Sequence, residues 1–302
     1  MSFKERQLKT LLSEMLREVP ATSDSSFKLL SYVRVYIALY RLLTVNPVRK
    51  QFGDRNEYTR KADMLFKMIF EKVVHTRDFA EKSRLLSALF SLTYGTASVS
   101  DAEKDNLCRT EVVVLMREYE ETREASETDR LKEDILTGFC RCLTDFYYSS
   151  TGEEEADEWF LFLKNKIAQW SETLVADGSW QEVADDTALE RIEIMNRNSF
   201  LLLDVGYDEQ IRSAYRYYSR RILLRKSKSL NTLTELALLG VLYEVALQEN
   251  AYGADWKTAR EIVGILRECS DHLPEGSEER FYCLSYRIDC LCEEILEEDA
   301  CK

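Results

Sequence analysis

Apolar residues recur three and four positions apart along almost the whole chain, which is the spacing of one face of an α-helix. In the first periodic segment, one face carries the apolar side chains Leu8, Leu11, Leu12, Met15, Leu16 and Val19. Pro20 ends that segment, because proline lacks the amide hydrogen that a helix interior needs. No segment has the alternating pattern of a strand, so the sequence predicts an all-α protein.

Capping signals separate the periodic segments. Ser100-x-x-Glu103 and Thr232-x-x-Glu235 have the capping-box spacing, in which each side chain satisfies a free backbone amide at the helix start. Asn46 ends a segment because the residue before a proline disfavours helical geometry. These signals predict about twelve antiparallel helices, over residues 3–18, 27–45, 54–75, 77–94, 100–123, 126–148, 153–177, 180–205, 207–228, 232–250, 255–273 and 278–298.

The predicted helices repeat as hairpins. Every second one begins after a similar interval along the chain, near positions 27, 77, 129, 187, 232 and 278. Two helices of about 20 residues with two short connections fill such an interval. No linker rich in Pro, Gly or Ser divides the chain. We therefore expect one all-helical domain over residues 1–302, shaped as an α/α toroid or as a curved helical-repeat array.

Composition and charge narrow the classes of function. Ten glycines and three prolines in 302 residues disfavour β-sandwiches and glycine-loop nucleotide folds. The 41 basic and 54 acidic residues give a net charge of −13, which disfavours general binding to nucleic acids. Lys28, Arg34 and Arg41 interrupt the most apolar stretch, residues 27–45, which predicts a buried central helix and no membrane span.

The start of the chain and its thiols suggest a compartment. The first ten residues include the charged residues Lys4, Glu5, Arg6 and Lys9, and no apolar signal segment follows them. Eight cysteines in such a chain are typical of free thiols rather than of a disulfide framework. We therefore expect a cytoplasmic protein.

The sequence contains few residues that could support histidine-based catalysis. The chain contains none of the motifs G-x-G-x-x-G, G-x-x-x-x-G-K-[ST], G-x-S-x-G and H-E-x-x-H. Its two histidines, His75 and His272, lie near predicted helix ends, where imidazole contacts terminal carbonyls or solvent. We expect both to be structural.

The cysteine pairs do not have metal-binding spacing. Cys140 and Cys142, like Cys290 and Cys292, are two positions apart, and on a helix such residues point about 200° away from each other. Cys283 and Cys290 share a helix face. Buried cysteines commonly act as small apolar residues in a helical core. We expect no metal and no cofactor.

One predicted helix, residues 207–228, opposes the acidic balance of the chain. Its second part contains no acid and carries the cations Arg212, Arg216, Arg220, Arg221, Arg225, Lys226 and Lys228. The arginine ridge, defined as Arg212, Arg216 and Arg220, has one-turn spacing. The ridge, with Tyr217 and Arg221, is a candidate site for a phosphate, a carboxylate or an acidic partner. The other interpretation is that these cations pair with acidic neighbouring helices.

Two short motifs resemble those of isoprenoid enzymes. Asp185-Asp186-Thr-Ala-Leu-Glu190 resembles their magnesium-binding aspartate motif, but Leu189 occupies the position that needs a carboxylate. Asp177-Gly178-Ser179-Trp180 resembles the Gly-x-Trp end of the repeat in the α/α toroids of terpenoid cyclases. The family's glutamine four positions before the glycine is Leu174 here. This second resemblance implies six hairpins closed around a central mouth, without the cyclase activity.

Two functions follow as hypotheses. The first is a non-catalytic helical scaffold or adaptor that binds a protein or peptide. The alternative is an α/α-toroid enzyme, or an inactive relative, that binds a small or oligomeric ligand in a central cavity. Its candidate cavity residues are Asp177, Trp180, Asp185, Asp204 and Asp208. An enzyme predicts a polar pocket with converging carboxylates of shifted pKa, whereas a scaffold predicts a broad apolar groove.

Overall fold

A computed structural model describes residues 2–95, 232–247 and 256–300, with three single helical positions, 110, 114 and 165. All regular structure in these residues is helical, which confirms the all-α prediction. The helices are α1 (Phe3–Met15), α2 (Ser26–Val45), a 3-10 turn (Lys50–Phe52), α3 (Arg55–His75), α4 (Phe79–Gly95), α5 (Leu233–Leu247), α6 (Trp256–His272) and α7 (Glu278–Ala300).

The chain divides into two compact units. The first comprises residues 1–114 and 266–302, and the second comprises residues 115–265. In the first unit α2 lies between α7 on one side and α3 and α4 on the other, while α1 packs on α7. In the second unit the structure describes α5 and the first part of α6. The twelve-helix arrangement and the single domain stay predictions.

Helix α2 forms the centre of the first unit. Its fully buried side chains cover more than one face: Leu29, Tyr32, Val35, Ala38, Leu39 and Leu42 are each 0% exposed. A helix buried on several faces carries the nearly continuous apolar pattern seen in its sequence. In the described parts of the chain, no helix has the length and apolar character needed to cross a membrane.

Side-chain caps fix the helix starts. Ser2 begins α1 with a capping box, because its hydroxyl accepts from the Glu5 amide at 3.2 Å and its own amide donates to the Glu5 carboxylate at 2.6 Å. Ser25 caps α2 by accepting from the Lys28 amide at 3.2 Å. Asp78 accepts from the Glu81 amide at 2.7 Å, so α4 begins at Phe79 rather than at the predicted residue 77.

The predicted end of the first helix is wrong. Helix α1 ends at Met15 rather than at residue 18, and Val19, expected on its buried face, is 73% exposed. The physical reason is that Glu18 already belongs to the connection with α2. Its backbone carbonyl accepts from the Tyr32 hydroxyl at 3.1 Å and its carboxylate binds the Lys28 ammonium at 2.7 Å.

The connection from α2 to α3, residues 46–54, contains a turn at Gly53 that the sequence pattern did not resolve. Gly53 has a φ of 111°, and a Cβ at this position would lie 2.9 Å from Cε2 of Tyr58. The Tyr58 hydroxyl in turn donates to the Phe52 carbonyl at 2.8 Å, and both side chains are buried. A glycine therefore allows the turn to close over the Tyr58 ring.

Candidate functional site

Helices α2 and α7 bring charged and aromatic side chains together along one interface. Arg34 and Arg41 are seven positions apart on α2 and therefore share a face. The facing residues of α7 are three or four positions apart and also share a face. We define the α2–α7 seam as Arg34, Arg41, Tyr282, Tyr286, Asp289 and Glu293.

Three contacts hold Arg34 and two tyrosines in the first half of the seam. The Arg34 Nη2 donates to the Tyr286 hydroxyl at 2.7 Å, while the guanidinium carbon lies 3.6 Å from the centre of the Tyr286 ring. The hydroxyls of Tyr282 and Tyr286 are 3.1 Å apart, and both side chains are buried. The cation–π contact and the hydrogen bond together fix the orientation of the arginine on α7.

Two carboxylates share one arginine in the second half of the seam. Arg41 Nη2 lies 3.3 Å from Oδ1 of Asp289 and 2.8 Å from Oε1 of Glu293. Asp289 is buried and Glu293 is half-buried, whereas the Arg41 side chain is 48% exposed. Burial raises the pKa of Glu293 above its usual value, Arg41 opposes this, and the nearby Asp289 and Glu297 reinforce it. The arrangement therefore keeps a carboxyl of raised pKa beside a cation at the edge of the core.

A second cluster joins three parts of the first unit. Arg49 donates from Nη1 to Glu5 of α1 and from Nη2 to both carboxylate oxygens of Asp299 of α7, at 2.9 and 2.8 Å. Asn46, at the end of α2, donates to Asp299 at 3.0 Å. The Arg49 side chain is only 12% exposed. We call these four residues the Arg49 junction, and it ties α1 and the end of α2 to the last turn of α7.

Ion pairs attach α1 to α7 at both ends. Lys4 lies 2.9 Å from Glu294 and 2.8 Å from Glu298, and Arg280 donates from Nε to Glu14 at 2.7 Å. Between these ends, α1 turns four buried apolar side chains inward, namely Leu8, Leu11, Leu12 and Met15. The apolar stripe and the two polar ends therefore place α1 in one register on α7.

The cysteines of α7 are core residues. Cys283, Cys290 and Cys292 are buried and do not form disulfides with one another. Burial raises the pKa of Cys283 to about 12 and raises that of Cys292 well above its usual value. Because the thiolate is the form that attacks electrophiles and binds metals, the thiols of Cys283 and Cys292 are poor nucleophiles and poor ligands.

The histidines lie where the sequence placed them, at helix ends. His75 is exposed at the end of α3, with its Nδ1 2.7 Å from the Glu71 carbonyl oxygen. His272 is exposed in the last turn of α6. Within residues 2–95, 232–247 and 256–300, no group of three or more His, Cys, Asp or Glu side chains is arranged to hold a metal ion.

The site residues that the sequence singled out lie outside the described residues. This applies to the ridge candidates Arg212, Arg216, Tyr217, Arg220 and Arg221 and to the cavity candidates Asp177, Trp180, Asp185, Asp204 and Asp208. Sequence reasoning in turn missed the seam. The signal for the seam was the spacing of Arg34 and Arg41. In the sequence these two residues were interpreted only as interruptions of an apolar stretch.

Comparison with known proteins identifies no family for this chain. The chain matches no protein-family model, and no curated protein is similar to it at a significant level. The chemistry of its own residues therefore carries the functional proposal.

Proposed function

We propose that the protein is a non-catalytic, cytoplasmic helical scaffold or adaptor that binds a protein or peptide partner. The observation that supports a scaffold is that ion pairs in the first unit join helices far apart in the sequence. Arg49 binds Glu5 and Asp299, and Arg280 binds Glu14. An arginine held in this way by carboxylates of other helices helps to fix the positions of those helices.

The α2–α7 seam supports the same proposal. Arg34 and Arg41 bind α7 two helical turns apart, so α2 and α7 are held at two points along their length. A framework that is rigid before binding avoids part of the entropy cost of ordering an interface. The cysteines of α7 are not joined in disulfides, which is consistent with a reducing compartment such as the cytoplasm.

The proposed partner surface is the arginine ridge, flanked by Tyr217 and Arg221. The segment from Arg212 to Lys228 is rich in cations and contains no acid, in a chain whose net charge is −13. Arginines at one-turn spacing suit a row of carboxylates, and tyrosines beside them add apolar contact. An acidic protein segment or peptide is therefore the partner that we propose.

The test is capture of partners from an extract of the source cells by the immobilised full chain. Three proteins are compared: the wild type, the ridge variant Arg216→Glu/Arg220→Glu and a control variant, Arg60→Glu/Lys67→Glu, which reverses two exposed cations of α3. We expect the wild type and the control to capture the same acidic partner, and the ridge variant to lose it while keeping the wild-type melting temperature. Identical partner sets for all three folded proteins would contradict the proposed surface.

One observation favours the alternative, an α/α-toroid enzyme or an inactive relative of one. Helix α7 packs against α2, although the contacting residues Arg41 and Asp289 are 248 positions apart in the chain. In an open repeat array each repeat contacts only adjacent repeats, so a contact between helices this far apart in the chain favours the toroid alternative. In that case the proposed cavity residues are Asp177, Trp180, Asp185, Asp204 and Asp208. A small molecule that raises the melting temperature of the wild type, but not of Asp185→Asn/Asp204→Asn, would favour the enzyme.

A further inference from the structure

We draw no further inference here: the strongest candidate, the exposed apolar side chains Phe3, Val45 and Val48 beside the Arg49 junction, carries nothing because no contact within the described residues shows what covers them.

Discussion

Arg49 donates from one guanidinium nitrogen to both carboxylate oxygens of Asp299, at 2.9 and 2.8 Å. The two residues are 250 positions apart in the chain. The same guanidinium binds Glu5 through its other terminal nitrogen, so a single side chain connects α1, the end of α2 and α7. Charge in this unit therefore helps to determine which helices become neighbours, and this is the physical basis of the scaffold proposal.

The Arg49 junction contributes directly to stability. Replacing Arg49 by Ala leaves the carboxylates of Glu5 and Asp299, 12% and 16% exposed, without this cation. Hydrogen bonds to charged groups are worth about 1.5–3 kcal/mol, so we expect the free energy of unfolding to fall by about that amount. Arg49→Lys keeps the charge but loses the fork geometry, and its stability should lie between those of Arg49→Ala and the wild type. Urea denaturation measures all three.

The control for the Arg49 junction is Arg60→Ala. Arg60 is exposed on α3, where a substitution is expected to change stability by no more than about 0.5 kcal/mol. Equal stability of Arg49→Ala and Arg60→Ala would show that the junction does not hold the helices together.

Leu39 tests the central position of α2. Its side chain is 0% exposed, so truncation to Ala removes buried apolar atoms and leaves a cavity. The expected loss is about 2–5 kcal/mol in the free energy of unfolding. Val48→Ala, at a position that is 83% exposed, serves as the control and should be nearly neutral. A melting temperature that Leu39→Ala does not change would be incompatible with a core helix.

Glu293 makes the free energy of unfolding depend on pH. Because its pKa is raised in the folded protein above the usual 4.5, the folded state binds this proton more tightly than the unfolded state does. Stability from this group is therefore present below pH 4.5 and is lost as the pH rises through the folded pKa. In Glu293→Gln this contribution is absent, so the stability of the variant relative to wild type should increase as the pH rises above 4.5.

Chemical denaturation at several pH values measures the Glu293 effect. Glu71→Gln, which neutralises an exposed acid of α3, controls for the general loss of negative charge. Parallel pH profiles of the wild type and Glu293→Gln would remove Glu293 as the source of the dependence.

The thiols of α7 should resist labelling in the folded protein. With the pKa of Cys283 at about 12, its thiolate fraction at neutral pH is lower than that of a free cysteine by a factor on the order of 1000. We expect iodoacetamide to modify Cys283, Cys290 and Cys292 only after unfolding in urea, and half-buried Cys269 to react earlier. Peptide mass spectrometry reads each site separately. Rapid labelling of Cys283 in the native protein would show that this face of α7 is open.

In the part of the chain that the structure describes, local patterns predicted the helices well, because caps and periodicity are short-range properties. The Ser25 cap and the buried faces of α1 and α2 follow from neighbouring residues alone. The early end of α1 arises where a residue of another helix competes, whereas the later start of α4 follows from the local Asp78 cap. Helix α1 stops early because Glu18 pairs with Lys28 and Tyr32 of the next helix, which no local rule contains.

The seam and the Arg49 junction were beyond sequence reasoning for the same reason. Periodicity shows that Arg34 and Arg41 share a face, but it does not show which of many acidic and aromatic faces they meet. Tyr286 of α7, which contacts Arg34, lies 252 positions further along the chain. Pairing over that distance depends on the whole fold, and only the structure identifies it.

The central claim, a scaffold that binds an acidic partner through the arginine ridge, is tested most directly by the dissociation constant of the purified partner. It is measured with the full chain at low and high salt, for the wild type, Arg216→Glu/Arg220→Glu and Arg60→Glu/Lys67→Glu. We expect weaker wild-type binding as the screening length falls from about 10 Å to about 3 Å, at least about tenfold weaker binding by the ridge variant, and wild-type binding by the control. Equal affinities for all three proteins, without dependence on salt, would contradict the central claim.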